Sequence, residues 1–217
     1  MNVGEIKTRV KRAFGDEAGV QLTDEDIVRF INDGVRQMVA TNEGLLQKIG
    51  TASSISGQSD YTLPVDTLIV RSLSYKAPGE LSYFKLKYLT FNEYNNYVDG
   101  WDGTTYGAAT PLVYTIFETT FNLFPAPNHS LADAIKIFYN RLPVDVANDV
   151  DIPDIPVLYH DVLVKHCVAQ TLEMDEDYEA AAMKNGQIAG DLNVLRSRQD
   201  WKNQETYPKI TVLPEDL

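Results

Sequence analysis

The chain begins with hydrophobic residues at the spacing of amphipathic helices. In residues 2–14 apolar positions recur every three or four residues, and glycines then break the pattern. Thr23, followed three residues later by Asp26, resembles a capping box, and the apolar stripe after it continues to about Leu46. We therefore predict two helices before residue 50.

Between residues 51 and 142 the pattern changes toward a period of two, which is typical of half-buried β-strands. Two runs on either side of Gly57 predict a hairpin, and residues 83–89 alternate as a single strand. Thr90 and Glu93 predict a short capped helix. Short strands with short connections favour an antiparallel sheet or a small sandwich. The other predicted strands cover residues 67–75, 112–118, 120–124 and 134–141.

Helical spacing returns in the last third of the chain. Pro156 is placed to be the first residue of a helix, and residues 157–174 are apolar on more than one side. This predicts a central helix with neighbours on several faces. Asp175 or Asp177 then caps a last helix, whose small residues would let another helix approach closely.

These patterns predict an α+β fold. We expect a helical bundle made from the N- and C-terminal helices, an inserted antiparallel β-sheet domain and an extended C-terminal tail. The predicted segments are residues 1–50 for the first helices of the bundle, 51–142 for the β-domain, 143–200 for the last helices and 201–217 for the tail.

Composition and charge narrow the class of protein. The chain has 217 residues, of which 44% are hydrophobic and 23% charged, as in a globular protein that buries a core. No apolar run approaches the ~20 residues of a membrane span, and we see no secretory signal. The single cysteine, Cys167, excludes an internal disulfide and suits a reducing compartment. The net charge is −12, so an acidic body should repel phosphate backbones, and we interpret the locally basic residues 1–12 as a solvated helix face.

Candidate chemistry is sparse. The sequence has no phosphate-binding glycine loop, no nucleophile elbow and no H-E-x-x-H motif. His166 and Cys167 are adjacent, so on a helix they diverge by about 100° and fit a buried helix better than a metal pair or a nucleophile. The acids between Asp145 and Asp154 lack the spacing of a calcium loop. We predict no enzyme, no metal site and no cofactor.

Aromatic and apolar residues mark two candidate contact segments. One lies in a stretch rich in Gly, Asn and Asp, where tyrosine and tryptophan indicate either a contact surface or a lid folded over the sheet. The other is the tail, which should be polar if it floats free, so we expect it to dock on its own domain or on a partner. The candidates are Tyr94, Tyr97, Trp101 and Tyr106 in the loop, and Trp201, Tyr207, Ile210, Val212 and Leu213 in the tail.

A series of short motifs runs through nearly the whole chain. They are DIVRFINDG at 26–34, YTLPVD at 61–66, TPLVY at 110–114, LFPAP at 123–127, FYNRLP at 138–143, IPDIP at 152–156 and LEMD at 172–175. In order and spacing they resemble the head-to-tail adaptor (connector) proteins of tailed bacteriophages. One departure is Ala109, which stands where the family usually has a glycine before the Thr-Pro pair.

The resemblance implies a structural protein rather than an enzyme. Family members form a ring, commonly of twelve copies, beneath the portal, and pair a helical bundle with an inserted β-domain. The implied partners are further copies of the chain, the portal protein and tail or neck proteins. Double-stranded DNA would pass through the ring non-specifically, and no membrane is involved. The C-terminal segment commonly reaches the portal, so the tail from Trp201 becomes the portal-docking candidate. The implied location is the neck of the virion, after assembly in the host cytoplasm.

Two alternatives stay open at this point. One is another structural part of the virion, such as a neck, tail-completion or baseplate protein. The other is a carbohydrate-binding or carbohydrate-active protein, because exposed tyrosine and tryptophan near Asp99, Asp102 and Glu118 could suit sugar rings.

Overall fold

The computed structural model describes residues 1–42, 44–100 and 110–203, with side chains described as far as residue 197. These residues form α-helices and two β-sheets, which confirms the α+β class. They divide into two compact units. The helical unit combines Met1–Asn42 with the described residues from Val144 onward, and the β-unit is Glu43–Pro143.

The elements alternate between the two types along the chain. The helices are α1 (Val3–Phe14), α2 (Asp24–Thr41), α3 (Phe91–Asp99), α4 (His160–Met174) and α5 (Tyr178–Asn203), with a short 3-10 helix at Val157–Tyr159. The strands are β1 (Gln47–Ser54), β2 (Asp60–Thr62), β3 (Thr67–Tyr75), β4 (Phe84–Lys85), β5 (Lys87–Tyr88), β6 (Val113–Phe117), β7 (Thr120–Phe124) and β8 (Leu131–Arg141).

Local hydrogen bonds explain where several helices begin. The Thr23 hydroxyl accepts the N–H of Asp26 at the start of α2, as predicted. Thr90 and Glu93 form the predicted capping box of α3, each side chain accepting the backbone N–H of the other residue. The carboxylate of Asp177 accepts a first-turn N–H of α5 at 3.1 Å. These starts follow from short-range sequence alone.

In the helical unit, α4 is the central helix and packs against α1, α2 and α5. Its buried residues lie on all of its sides, which confirms the prediction of a helix with several neighbours. They are His160, Val162, Leu163, His166, Cys167, Val168, Ala169 and Thr171.

The approach of α2 to α4 depends on a glycine. A Cβ atom added at Gly34 would lie 2.5 Å from His166 Cδ2 and 2.7 Å from Leu163 Cδ1, closer than side chains tolerate. Both of those side chains are buried, so the added methyl group can be accommodated only if they shift from their packed positions. Gly34 therefore sets the separation of the two helices.

The connector before α4 is bound to the start of α1. The backbone N–H groups of Val3 and Gly4 donate to the carbonyl oxygens of Asp151 and Asp149, at 2.9 Å and 3.0 Å. These bonds use two N–H groups that the first turn of a helix leaves without an intrahelical partner. The Asp151 carboxylate in turn accepts the N–H of Ala147, which holds the connector in its own turn.

The β-unit contains two four-stranded sheets with a shared apolar core. One sheet has the strand order β1-β8-β3-β4 and the other β2-β7-β6-β5. Alternate residues of the long central strand β8 face the core, as the period of two requires. The largest fully buried side chains of this core are Tyr75, Phe121, Leu73, Leu86, Leu123, Ile135 and Ile137. Helix α3 packs against β6 and contributes Tyr94 to a smaller cluster with Leu89 and Val113.

Strand pairing departs from the sequence prediction in three ways. The hairpin predicted at Gly57 is wrong, since β1 pairs with β8 in one sheet and β2 with β7 in the other. The single strand predicted over residues 83–89 is also wrong. Leu86 N donates to Leu73 O in one sheet and Lys87 N to Leu112 O in the other, so the chain changes sheets between these residues. Finally β5 and β6 pair in parallel, so the sheets are not purely antiparallel.

Two helix boundaries also differ from the prediction. Helix α2 ends at Thr41 rather than near Leu46. Leu45 and Leu46 are buried outside any helix, and Leu46 O already accepts the N–H of Arg141, so tertiary burial and not helical spacing explains their apolar character. Helix α5 continues to Asn203, so residues 201–203, predicted as the beginning of an extended tail, are helical.

We predict that Gly34→Ala destabilises the helical unit by about 1–3 kcal/mol, because the new methyl group overlaps two buried side chains. Urea unfolding followed by circular dichroism measures the loss. Gly186→Ala is the matched control: it is also a helical glycine, nothing lies within 4 Å of its added Cβ, and alanine should gain about 0.5–1 kcal/mol. Equal effects of the two substitutions would contradict the packing argument.

Candidate assembly surfaces

The described residues contain no cluster of candidate metal ligands. No group of three or more His, Cys, Asp or Glu side chains that could hold a metal ion lies among them. Cys167 is fully buried, and burial raises the pKa of its thiol to about 12, so it stays protonated at neutral pH. This is the environment of a core residue, as the adjacent His166 and Cys167 indicated. The predicted contact segments therefore become the main candidates.

The two histidines of α4 are both buried but differ in their hydrogen bonds. His160 Nε2 donates to Ile155 O at 3.1 Å, and its Nδ1 accepts from the amino group of Met1 at 2.9 Å. His166 Nε2 has no hydrogen-bond partner among the described residues. Burial lowers the pKa of both imidazoles, since the charged form is poorly solvated there.

The basic residues of α1 are paired with acids from other parts of the helical unit. Lys7 Nζ lies 2.6 Å from an Asp149 oxygen and 3.3 Å from Asp24, and Lys11 Nζ lies 2.6 Å from the other Asp24 oxygen. Burial acts to lower the pKa of Lys7, but its hydrogen bonds to Asp149 and Asp24 outweigh this and leave the pKa raised. Arg9 pairs with Asp161 at 3.0 Å. The expected solvated basic face is therefore an ion-paired one, and its charge is neutralised locally.

Tyr94 and Tyr97 lie on helix α3 rather than in a loop. The Tyr94 side chain is buried, with its hydroxyl 3.4 Å from Leu123 O and its ring edge-on to Phe124. Burial raises its pKa to about 12. Tyr94 is therefore a core residue, which fits the alternative of a lid over the sheet and not that of an exposed contact surface. Tyr97 is 37% exposed and also meets Phe124 edge-on, with ring centroids 6.0 Å apart.

An exposed pair of aromatic residues lies beside α3 and was not predicted from the sequence. Phe91, the first residue of α3, and Phe117, at the end of β6, have ring centroids 5.2 Å apart and are 46% and 50% exposed. Neither lies in the Gly/Asn/Asp-rich stretch. Because side chains alternate along a strand, Phe117 lies with Val113 on the face of the sheet that α3 covers. This alternation could have identified Phe117 as a neighbour of α3.

The helical unit also contains a groove that was not predicted from the sequence. We call it the α2–α4–α5 groove; it has a volume of about 360 Å³. Its lining combines apolar side chains with amides, one carboxylate and one imidazole. The lining residues are Gln37, Met38, Thr41, His166, Gln170, Glu173, Asn185, Ile188, Ala189 and Leu192.

The remaining sequence candidates are not described by the structure. Trp101 and Tyr106 in the loop, and Tyr207, Ile210, Val212 and Leu213 in the tail, lie outside the described residues. Trp201 lies in the last turn of α5 by its backbone, and its side chain is outside the description.

Within the described part of the chain, none of the helices combines the length and the apolar character needed to cross a membrane.

The α+β fold, the exposed aromatic residues and the groove are features of a protein that binds other proteins. A family model described as SU10 adaptor protein matches residues 1–208, and the chain belongs to this family. It is thus a structural adaptor protein of the phage head-to-tail type, which confirms the resemblance seen in the ordered motifs. A search of the curated proteins finds no match. The family associates with other capsid and tail proteins and belongs to the virion at the head–tail junction.

The buried histidines predict a pH dependence of stability. Because burial lowers both pKa values, the unfolded chain binds these protons first, so stability should fall as the pH drops through about 6.5 and return above it. Melting temperatures from about pH 7.5 to about pH 5.5 test this. His166→Gln should flatten the dependence, whereas His129→Gln, at an exposed position, should not. An unchanged slope in His166→Gln would refute the assignment.

Proposed function

We propose that this chain assembles into a ring between the portal and the tail of a phage particle, with twelve copies as the number that the family resemblance implies. The observation that carries the proposal is the family match over residues 1–208, which spans both units. The proposed role is structural: the ring gives the tail a platform and leaves a channel for the genome. Assembly takes place in the host cytoplasm, and the finished ring lies in the neck of the virion.

A ring of identical subunits requires two different faces that fit each other, because each copy meets its neighbours head to tail. Helix α5 offers a suitable face. It packs against α4, while nothing lies within 4 Å of a Cβ added at Gly186 or Gly190. Met183 and Val194 are exposed on the same helix. Small residues flanked by exposed apolar ones would let a helix of the next copy approach closely, and we propose α5 as one ring face.

Charge supports the proposed passage of DNA. The chain carries 31 acidic and 19 basic residues, and the cations Lys7, Lys11, Arg29 and Arg36 of the helical unit are all ion-paired to aspartates. Paired cations offer little attraction to phosphates, and unpaired acids repel them. A channel bounded by such a surface would let double-stranded DNA slide without binding it.

Two segments are proposed to contact other virion proteins. The first is the residues after α5, with Tyr207, Ile210, Val212 and Leu213 as portal contacts and Trp201 at the end of the helix leading into them. The second is the loop after α3, with Trp101 and Tyr106 and the half-exposed Tyr97 beside it, as a contact with tail or neck proteins. Tyrosine and tryptophan are the residues that most often anchor protein interfaces.

Negative-stain electron microscopy tests the ring. The purified chain, alone or mixed with portal, is expected to give closed rings with a central channel. Gly190→Arg should reduce them, because a long side chain fills the open side of α5, whereas Val65→Arg, at a fully exposed turn of the β-unit, should not. A chain that remains monomeric even on the portal would overturn the proposal.

Portal binding tests the tail contacts. Alternate side chains of an extended segment share a side, so in that conformation Ile210 and Val212 would lie together and Thr211 opposite. The double substitution Ile210→Asp with Val212→Asp is expected to weaken binding to the portal by at least about tenfold, since two apolar contacts are replaced by charges. Thr211→Asp adds the same kind of charge and should bind nearly as well as the wild type. Equal binding by all three chains would exclude this segment as the portal contact.

A further inference from the structure

The α2–α4–α5 groove has the chemistry of a peptide-binding cleft. Its volume of about 360 Å³ is within the range of roughly 300–1,000 Å³ typical of binding clefts. Apolar atoms of Met38, Ile188 and Leu192 provide a surface for aliphatic side chains. Amides of Gln37 and Gln170 offer both donors and acceptors to a peptide backbone.

Hydrogen bonds hold one side of the groove in place. Glu173 Oε2 accepts from Gln170 Nε2 at 3.0 Å, and its Oε1 accepts from Asn185 Nδ2 at 3.2 Å, so the carboxylate joins α4 to α5. At the α2 side, the guanidinium of Arg196 donates to Thr41 O and to the Asn42 side chain. The groove is therefore a formed feature of the helical unit and not a gap between loosely packed helices.

One wall of the groove contains a buried imidazole. The ring of His166 lines the groove, and its Nε2 is buried without a hydrogen-bond partner among the described residues. A buried polar atom of this kind is costly and usually has a partner. A backbone amide of a bound peptide could form a hydrogen bond with this Nε2 atom.

The chain has a segment of matching chemistry within reach. Leu192 precedes the end of α5 at Asn203 by eleven residues, a distance of ~16 Å along the helix. Ile210 follows Asn203 by seven residues, which can span up to ~23 Å when extended. Residues 209–213, with the sequence KITVL, supply aliphatic side chains of the size the groove accepts. Folding back along α5 would bring Ile210 to Leu192.

We propose that, in the free subunit, residues 209–213 occupy the α2–α4–α5 groove of their own chain. This inference rests on the proposed function in one respect, because the same residues are the proposed portal contact. The groove then shields Ile210 and Val212 until a portal competes for them. Premature contact between subunits through an exposed apolar tail is reduced, and portal docking frees the groove.

Limited trypsin digestion of the full chain tests the proposal. Cleavage after Lys209 needs the segment to be free, so it should be slow in the wild type. Leu192→Glu places a charge in the groove and is expected to speed this cleavage by about tenfold, measured by intact mass. Asn193→Glu is the matched control: it is the next residue of α5, it is exposed, and it should leave the rate unchanged.

The cleavage rates distinguish three possibilities for the groove. Equal cleavage rates in the wild type and in Leu192→Glu would overturn the proposal, and protection that disappears on dilution would assign the groove to the tail of a second copy instead. If Leu192→Glu fails to fold by circular dichroism, hydrogen exchange of residues 185–192 in the full-length Ile210→Asp, Val212→Asp chain replaces it. Faster exchange than in the wild type is then expected, and unchanged exchange refutes the groove contact. All of these measurements use the free subunit, so their failure leaves portal docking to be judged by its own binding test.

Discussion

The close approach of α2 to α4 at Gly34 is the contact on which the helical unit depends. Because α4 is buried on all of its sides, its neighbours are placed by how near each can come to it. Gly34 lets α2 lie against Leu163 and His166, and this position also makes Met38 available to the groove. The absence of a side chain at Gly34 thus affects both the core of the unit and the groove proposed to bind the tail.

Ion pairing determines how the surface of the same unit interacts. Read along the chain, the first twelve residues are basic, but in the folded unit Asp24, Asp149 and Asp161 neutralise three of their cations. The carboxylates of these pairs are exposed to solvent, which screens the attraction, so their main effect is on the electrostatic field. The acidic excess of the chain then dominates, which is compatible with the proposed passage of DNA.

The candidate contact residues divide by what local sequence can reveal. The helix that carries Tyr94 was predictable, because Thr90 and Glu93 form their capping box within four residues. That Tyr94 is buried was not, since its neighbours Leu123 and Phe124 come from β7. The Phe91–Phe117 pair and the α2–α4–α5 groove escaped prediction for the same reason: each is assembled from residues distant in the chain.

By itself the sequence determined the helix starts, the alternation within most strands, the acidic composition and, through its ordered motifs, the family. These depend on contacts within a few residues or on residue content. Only the tertiary structure decided that β1 pairs with β8 and that the chain changes sheets at Leu86. It also decided that the apolar residues after Thr41 are not helical. The physical reason is that alternation along a strand shows only which of its side chains share a face. Which other strand it pairs with is selected by burial across the whole core.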